Sequence, residues 1–204
     1  MAMRDVSIEE ISAELPAPMA SFLTDADERI ERFYHDRRDT PIPGFVPSDF
    51  VAAYATLAAI RERQLSPGMS FCEWGSGFGV VACVAAMLGY DACGIEIEHD
   101  LVTHAQTLAM DHELGVTFVQ GSFIPEGGDD LTDTIDNDMA WLAVGQASGY
   151  DELGLDADDF DVVFAYPWPG EEWVVEDLFE RYGARGALLV TYRGREAVKV
   201  QRKA

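Results

Sequence analysis

The sequence predicts an α/β fold: a doubly wound sheet, mostly parallel with a last antiparallel strand, helices on both faces, and a helical extension at the N-terminus. Three observations carry this. From Met69 onward, short apolar runs alternate with helical stretches, the order that winds a parallel sheet with right-handed crossovers. The first run ends in "EWGSGFG", which sets Gly75, Gly77 and Gly79 between a strand and a helix. The 204 residues, 48% hydrophobic, suffice for one sizeable core, and two independent domains would both be small.

The elements follow in chain order. Residues 1–45 form the extension or cover, with helical spacing in "VSIEEISAEL" and in "DADERIERFYHDRR", the second with Asp25 or Asp27 placed to cap it. Three prolines and a glycine in "TPIPGFVPSDF" then interrupt regular structure. The main domain, residues 46–204, begins with the helix "FVAAYATLAAIRERQ", which Ser48 or Asp49 can cap and which ends before the turn "SPG". A strand at 69–73, a helix at 79–88, a strand at 92–96, a helix at 99–114 and a strand at 116–120 come next. Residues 125–159 break this rhythm as an acidic insertion with a short apolar core, Met139 to Val144, suited to one helix. A strand at 160–166, a helix at 171–182 and a strand at 186–192 restore it. The final "REAVKVQRK" reads as one more strand, reached by a tight turn at Gly194 and so antiparallel.

Composition excludes several functions. Fourteen basic against 37 acidic residues give a formal charge of −23, a field that repels nucleic acid backbones and makes a DNA or RNA substrate unlikely. The same charge equally suits solubility in a salty cytoplasm. Arg193, Arg195, Lys199, Arg202 and Lys203 form a local cationic exception. Cys72, Cys83 and Cys93 are odd in number, form no C-x-x-C and lie in apolar segments, so buried reduced thiols are expected. His104 and His112 stand eight apart on one predicted helix, too far to share an ion, and no metal is expected. No apolar run approaches a membrane span, and "MAMRDVSIEE" lacks the regions of a signal peptide, so a cytoplasmic location is expected.

The glycine loop points to a ligand. Residues without side chains let the backbone turn sharply and approach a bound molecule, while the following helix directs unpaired N–H groups towards it. Glu73 precedes the loop by two residues, and Glu96 closes the second strand, 21 residues after Gly75. In a doubly wound sheet these strands are neighbours, which brings Glu96 to where a ribose sits. The third glycine of G-x-G-x-x-G would fall at position 80, which is Val80, and a carboxylate at Glu73 would repel a pyrophosphate. It suits a ligand with a free ammonium group.

These residues resemble the class I S-adenosylmethionine-dependent methyltransferases, Rossmann-like enzymes. "EWGSGFG" is similar to their first motif, E/D-x-G-x-G-x-G, and "GIEIE" to the second-strand motif whose acid binds the ribose. "FVQGSF" at 118–123 resembles the segment flanking the adenine, and "FDVVFAYPWPG" the fourth-strand motif that lines the methyl-transfer site. The resemblance covers residues 45 to 192. It implies S-adenosylmethionine as cofactor, with Glu73 orienting the methionine ammonium and Gly75, Ser76, Gly77 and Gly79 forming the loop around the methionine part. By the same carry-over Glu96 takes the ribose hydroxyls, Ile97 the adenine face, and Gly121, Ser122 and Phe123 the adenine surroundings. Ser122 stands where the family often has Asp, so Gln120 or Phe123 is an alternative adenine partner. Only about 12 residues follow the fifth strand, where the family commonly closes with a hairpin, and a sheet of six strands is therefore expected.

The acceptor end differs from the amine-clamping N-P-P-Y pattern by lacking its Asn. Tyr166-Pro167-Trp168-Pro169 keeps the stiff aromatic character, and Tyr166 and Trp168 are the candidate catalytic wall for a lysine-like or small amine. Glu171 and Glu172 read as first-turn helix acids or, alternatively, as a base. "FVPSDF" resembles the segment that closes over the cofactor in short protein-lysine methyltransferases of this fold. The expected activity is N-methylation of an amine, on a protein lysine or a small molecule. The alternatives are a non-catalytic S-adenosylmethionine- or nucleotide-binding protein and, further off, an NAD(P)-dependent oxidoreductase.

Overall fold

The structure, a computed structural model, describes residues 2–8, 15–40, 42, 44–128, 147–194 and 198–204. In chain order the elements are β1 (Met3–Asp5), α1 (Ala17–Asp36), α2 (Phe50–Glu62), β2 (Ser70–Trp74), α3 (Val80–Met87), β3 (Asp91–Glu96), α4 (His99–Asp111), β4 (Thr117–Gln120), α5 (Gly149–Leu153), β5 (Val162–Ala165), α6 (Glu172–Tyr182), β6 (Leu188–Tyr192) and β7 (Val198–Lys203). Among the described residues no helix is long and apolar enough to cross a membrane.

The strands form one sheet in the order β1-β7-β6-β5-β2-β3-β4. Neighbours from β6 to β4 are parallel, and β7 is antiparallel to both β6 and β1. Strands buried on both faces call for apolar side chains nearly throughout, as in "VVFA" and, Thr191 apart, in "LLVTY". Their alternation sends side chains to two cores. Phe71, Val162, Phe164, Leu188 and Val190 pack with α1, α2, α3 and α4 on one face. Cys72, Trp74, Val163, Ala165 and Leu189 meet Val174, Leu178 and Phe179 of α6 on the other.

Among the described residues the sheet has seven strands rather than the expected six. The seventh, β1, comes from the opposite end of the chain, pairing Met3 with Lys203 and Asp5 with Gln201. "MRD" has no apolar alternation of its own; the unpaired edge of β7 makes it a strand. Helix α1 also starts earlier than expected. Pro16 is its N-cap, and a proline in the first turn forfeits no helical hydrogen bond. Asp25, expected as a cap, stands mid-helix. It bonds Arg29 Nε and His112 Nε2 at 2.9 and 2.8 Å, while Arg29 also reaches Asp111 and Arg37 reaches Asp100, so α1 is tied to α4 by charge. Val6 to Ile8 are not helical. Residues 9–14 of that expected helix, and Met139 to Val144, lie outside the described residues.

Asp49 rather than Ser48 caps α2, accepting from the Ala52 amide at 2.9 Å. The C-terminal cations serve the fold. Arg193 and Lys199 both pair with Glu176, Arg202 donates to the Leu65 and Gly186 carbonyls, and Lys203 Nζ donates to the Gly183 carbonyl at 2.6 Å, just past the end of α6. Arg195 lies outside the described residues.

Candidate functional site

The β2–α3 loop is held to the ends of the strands beside it. The Gly75 and Ser76 amides donate to the Ile95 carbonyl at 2.9 and 3.0 Å, and the Gly79 amide donates to the Ser76 carbonyl at 2.7 Å. The Gly77 amide donates to Glu96 Oε2 at 2.7 Å, and Glu96 Oε1 accepts from the Ile97 and Glu98 amides at 2.8 and 2.9 Å. Glu73 Oε2 accepts from the Ala82 amide at 2.8 Å, satisfying a donor in the first turn of α3.

Gly77 and Gly79 are required for different reasons. Both adopt positive φ, +53° and +68°, a region that L side chains disfavour. A Cβ at Gly77 would sit 2.8 Å from the Phe45 ring, so the loop passes directly beneath the segment preceding α2. A Cβ at Gly79 would meet Phe118 at 2.3 Å, which makes that position a matter of packing against β4.

Both loop acids are buried. Burial pushes the Glu73 carboxyl well above the ordinary carboxylate range, against the Ala82 hydrogen bond that favours its ionised form, and the Glu96 charge adds to the rise. Burial also raises Glu96, opposed by its three backbone amides. Among the described residues no cation stands beside these two carboxyls, a costly arrangement in this setting.

The loop opens on a cavity of about 770 Å³, bounded by β2, β3, β5, the start of α6 and the strap at 44–50. Glu73, Gly75, Ser76, Gly77, Glu96, Ile97, Gly121, Ser122, Phe123, Tyr166 and Trp168 all line it. Gly79 does not. Ser76 Oγ is buried with no hydrogen-bond partner among the described residues. Ser122 Oγ accepts from the Ile124 amide at 3.1 Å, and Phe123 stacks on Trp74 with centroids 5.3 Å apart. Gln120, the alternative adenine partner, donates to the Ile97 carbonyl at 3.1 Å and is outside the lining.

The strap supplies the wall facing the loop, with Phe45, Pro47 and Phe50 in the lining. Tyr34, Phe45, Phe78 and His104 form a column of stacked rings, with successive centroids 5.5, 5.4 and 4.7 Å apart, and Tyr34 Oη donates to the Phe45 carbonyl at 2.9 Å. The column clamps the strap between α1 and α4. Its sequence signal was "FVPSDF"; the contribution of Tyr34 from α1 had none.

At the other end Tyr166 meets Tyr192 edge-on at 4.8 Å, and burial raises its phenol. Beyond it the Glu171 amide donates to the Trp168 carbonyl at 2.9 Å, closing a turn, while Glu172 Oε2 accepts from the Gly170 amide at 2.7 Å. Glu98, the last residue of "GIEIE", and Glu171, read as a first-turn helix acid or a base, also line the cavity. The charged lining residues are Glu73, Glu96, Glu98 and Glu171, with no Lys, Arg or His among the described ones.

No family model matches the sequence, and a search of curated proteins finds no match. Solved structures do match. An RNA methyltransferase from Salinibacter ruber, in complex with S-adenosyl-L-homocysteine, is 21% identical with a TM-score of 0.50 over 77% of this chain and 92% of that one. A methyltransferase from Geobacter sulfurreducens is 15% identical with a TM-score of 0.51 over 95% of this chain and 93% of that one. A SAM-dependent methyltransferase from Thiobacillus denitrificans is 18% identical with a TM-score of 0.45 over 78% of this chain, which spans about half of that one (53%). The first two likenesses establish the fold: this chain has the Rossmann-like fold of those methyltransferases.

Proposed function

We propose that this protein is an S-adenosylmethionine-dependent methyltransferase that N-methylates an amine, on a protein lysine or a small molecule. One observation carries the reading: the loop after β2 and the acid ending β3 open on a single cavity whose described charged groups are all carboxylates. A sulfonium ligand with a free ammonium is complementary to that field, whereas a phosphate-bearing ligand is repelled. The unpartnered Ser76 Oγ and the glycine backbone leave polar room where the methionine part would lie.

In this reading Glu73, Gly75, Ser76 and Gly77 hold the methionine part, with Gly79 setting the loop from behind. Glu96 faces the ribose; its three amide bonds leave about one of its roughly four acceptor positions for a hydroxyl. Ile97, Gly121, Ser122 and Phe123 surround the adenine. The cofactor supplies a methyl group on sulfur that an aligned lone pair displaces in line. Tyr166 and Trp168 wall the acceptor's approach and exclude water, which favours the neutral, nucleophilic amine.

Calorimetry with S-adenosylhomocysteine and a methylation assay on a panel of amines test the reading. Wild type should bind and transfer, faster as pH rises through the acceptor's pKa, and Trp168→Ala should lose transfer while keeping the cofactor. Binding with no transfer to any acceptor would leave a cofactor-binding protein instead.

A further inference from the structure

The geometry points to an acceptor amine carried on an aromatic body, which lodges in an apolar chamber between the strap at 44–50 and the end of β5, with Phe50 as the ring that reads it. This rests on the amine-methylating reading above and deepens it, by choosing a small molecule over a protein lysine.

The cofactor reading leaves part of the cavity wall without a task. The loop after β2, the end of β3 and the segment after β4 take the methionine part, the ribose and the adenine. A further stretch of wall is apolar and comes from four places in the chain: Ile30 of α1, Phe45 and Phe50 of the strap, Val80 of α3 and Phe164 of β5. Strand register fixes where this stretch begins. Phe164 is the partner of Glu73 across β5 and β2, so both side chains leave the sheet on the same face, the one covered by α1, α2, α3 and α4. Tyr166, two residues on, packs on that face as well. The chamber therefore runs from the methionine part to the residue that walls the acceptor's approach.

Phe50 is the ring here that the fold does not use. Phe45 is held between Tyr34 and Phe78 and lies over Gly77, Phe164 is buried in the core, and Tyr166 meets Tyr192 edge-on. Phe50 is half-buried, has no ring contact among the described residues, and lines the cavity. An apolar wall left unfilled costs stability in proportion to the empty volume, and a flat ring that enters it gains edge or face contacts with Phe50 and Phe164. A protein lysine brings only a flexible four-carbon stem, with a polar backbone behind it that the clamped strap shuts out of the chamber. Phe50 is thus a specificity residue: it selects the acceptor's body, and its place opposite Tyr166 aims the nitrogen. The amine gives its proton to solvent. Its lone pair then forms the N–CH₃ bond as the S–CH₃ pair passes to sulfur, leaving S-adenosylhomocysteine.

The test compares phenethylamine, n-butylamine and a lysine-containing tripeptide, by calorimetry on the protein loaded with S-adenosylhomocysteine and by transfer from S-adenosylmethionine. Wild type should bind phenethylamine tightest and methylate it with a KM lower by roughly tenfold or more than that of either other amine, because it alone buries a ring. Phe50→Ala should shrink this advantage several-fold and Phe50→Leu should shrink it less, with S-adenosylhomocysteine still bound by both. A KM for n-butylamine or the tripeptide equal to or below that for phenethylamine overturns the aromatic chamber and leaves the amine reading standing. An advantage that Phe50→Ala leaves intact overturns the assignment of Phe50. Transfer to no amine, with the cofactor bound, overturns both readings. If Phe50→Ala melts early, the folded Phe50→Leu and the wild-type KM ratio decide in the same way.

Discussion

The Gly77 amide donates to Glu96 Oε2 at 2.7 Å, so the acid that ends β3 shapes the loop that follows β2. The same carboxylate takes the first two amides after its own strand, Ile97 and Glu98. Two adjacent strand ends are thereby locked into one ligand-facing surface, with the strap and Phe45 above it.

The lock makes the loop glycines unequal. Alanine at Gly75 pays only for the backbone at φ +68°, since its nearest side-chain neighbour, Phe123, would lie at 3.9 Å. Alanine at Gly77 has the backbone cost, about 1–3 kcal/mol, and also drives into Phe45, which Tyr34 and Phe78 hold between them. S-adenosylhomocysteine affinity measured by calorimetry should therefore fall further for Gly77→Ala than for Gly75→Ala. Adding Phe45→Ala to Gly77→Ala should recover the steric part only. Equal losses at the two glycines would show that Phe45 does not press on the loop.

Glu73 predicts a pH dependence with a definite sign. Its carboxyl is raised above the ordinary value of 4.5 by burial, so the folded protein binds this proton more tightly than the unfolded chain. Its contribution is fully present below 4.5 and is lost as pH climbs from there to the raised folded value. Glu73→Gln keeps an oxygen for the Ala82 amide and has no charge to bury. Melting curves across that range should show the ligand-free variant gaining stability over wild type as pH increases, while its cofactor affinity drops. A pH-independent difference between the two would contradict the assignment.

The N-terminal strand predicts the effect of truncation. Deleting residues 2–8 removes β1 and the Val6 amide bond to the Val200 carbonyl at 2.8 Å, leaving β7 as a bare edge. The truncated protein should melt at lower temperature and self-associate in light scattering, with the glycine loop at the far side of β5 still binding S-adenosylhomocysteine. A monomer with unchanged melting would mean that β1 adds nothing to the sheet.

Much of the fold was legible in residue order because its signals are local. Apolar runs such as "VVFA" identify strands buried on both faces, and "EWGSGFG" announces a loop with three positive-φ glycines, each needing nothing beyond its neighbours to be recognised. The motifs likewise anticipated most of the cavity lining, because a doubly wound sheet brings consecutive strand ends together whatever fills the rest of the chain. What tertiary structure alone decided depends on contacts between distant segments. "MRD" is a strand only because β7 offers an edge, and Asp25 is a clamp rather than a cap because His112 lies 87 positions away in sequence and 2.8 Å away in space. Gly79 stands behind the cavity because Phe118 of β4 fills the space beside it. Glu171 and Glu172 are chemically identical neighbours; the turn that bonds one to Gly170 sends the other into the cavity, a distinction of backbone geometry that no residue type encodes.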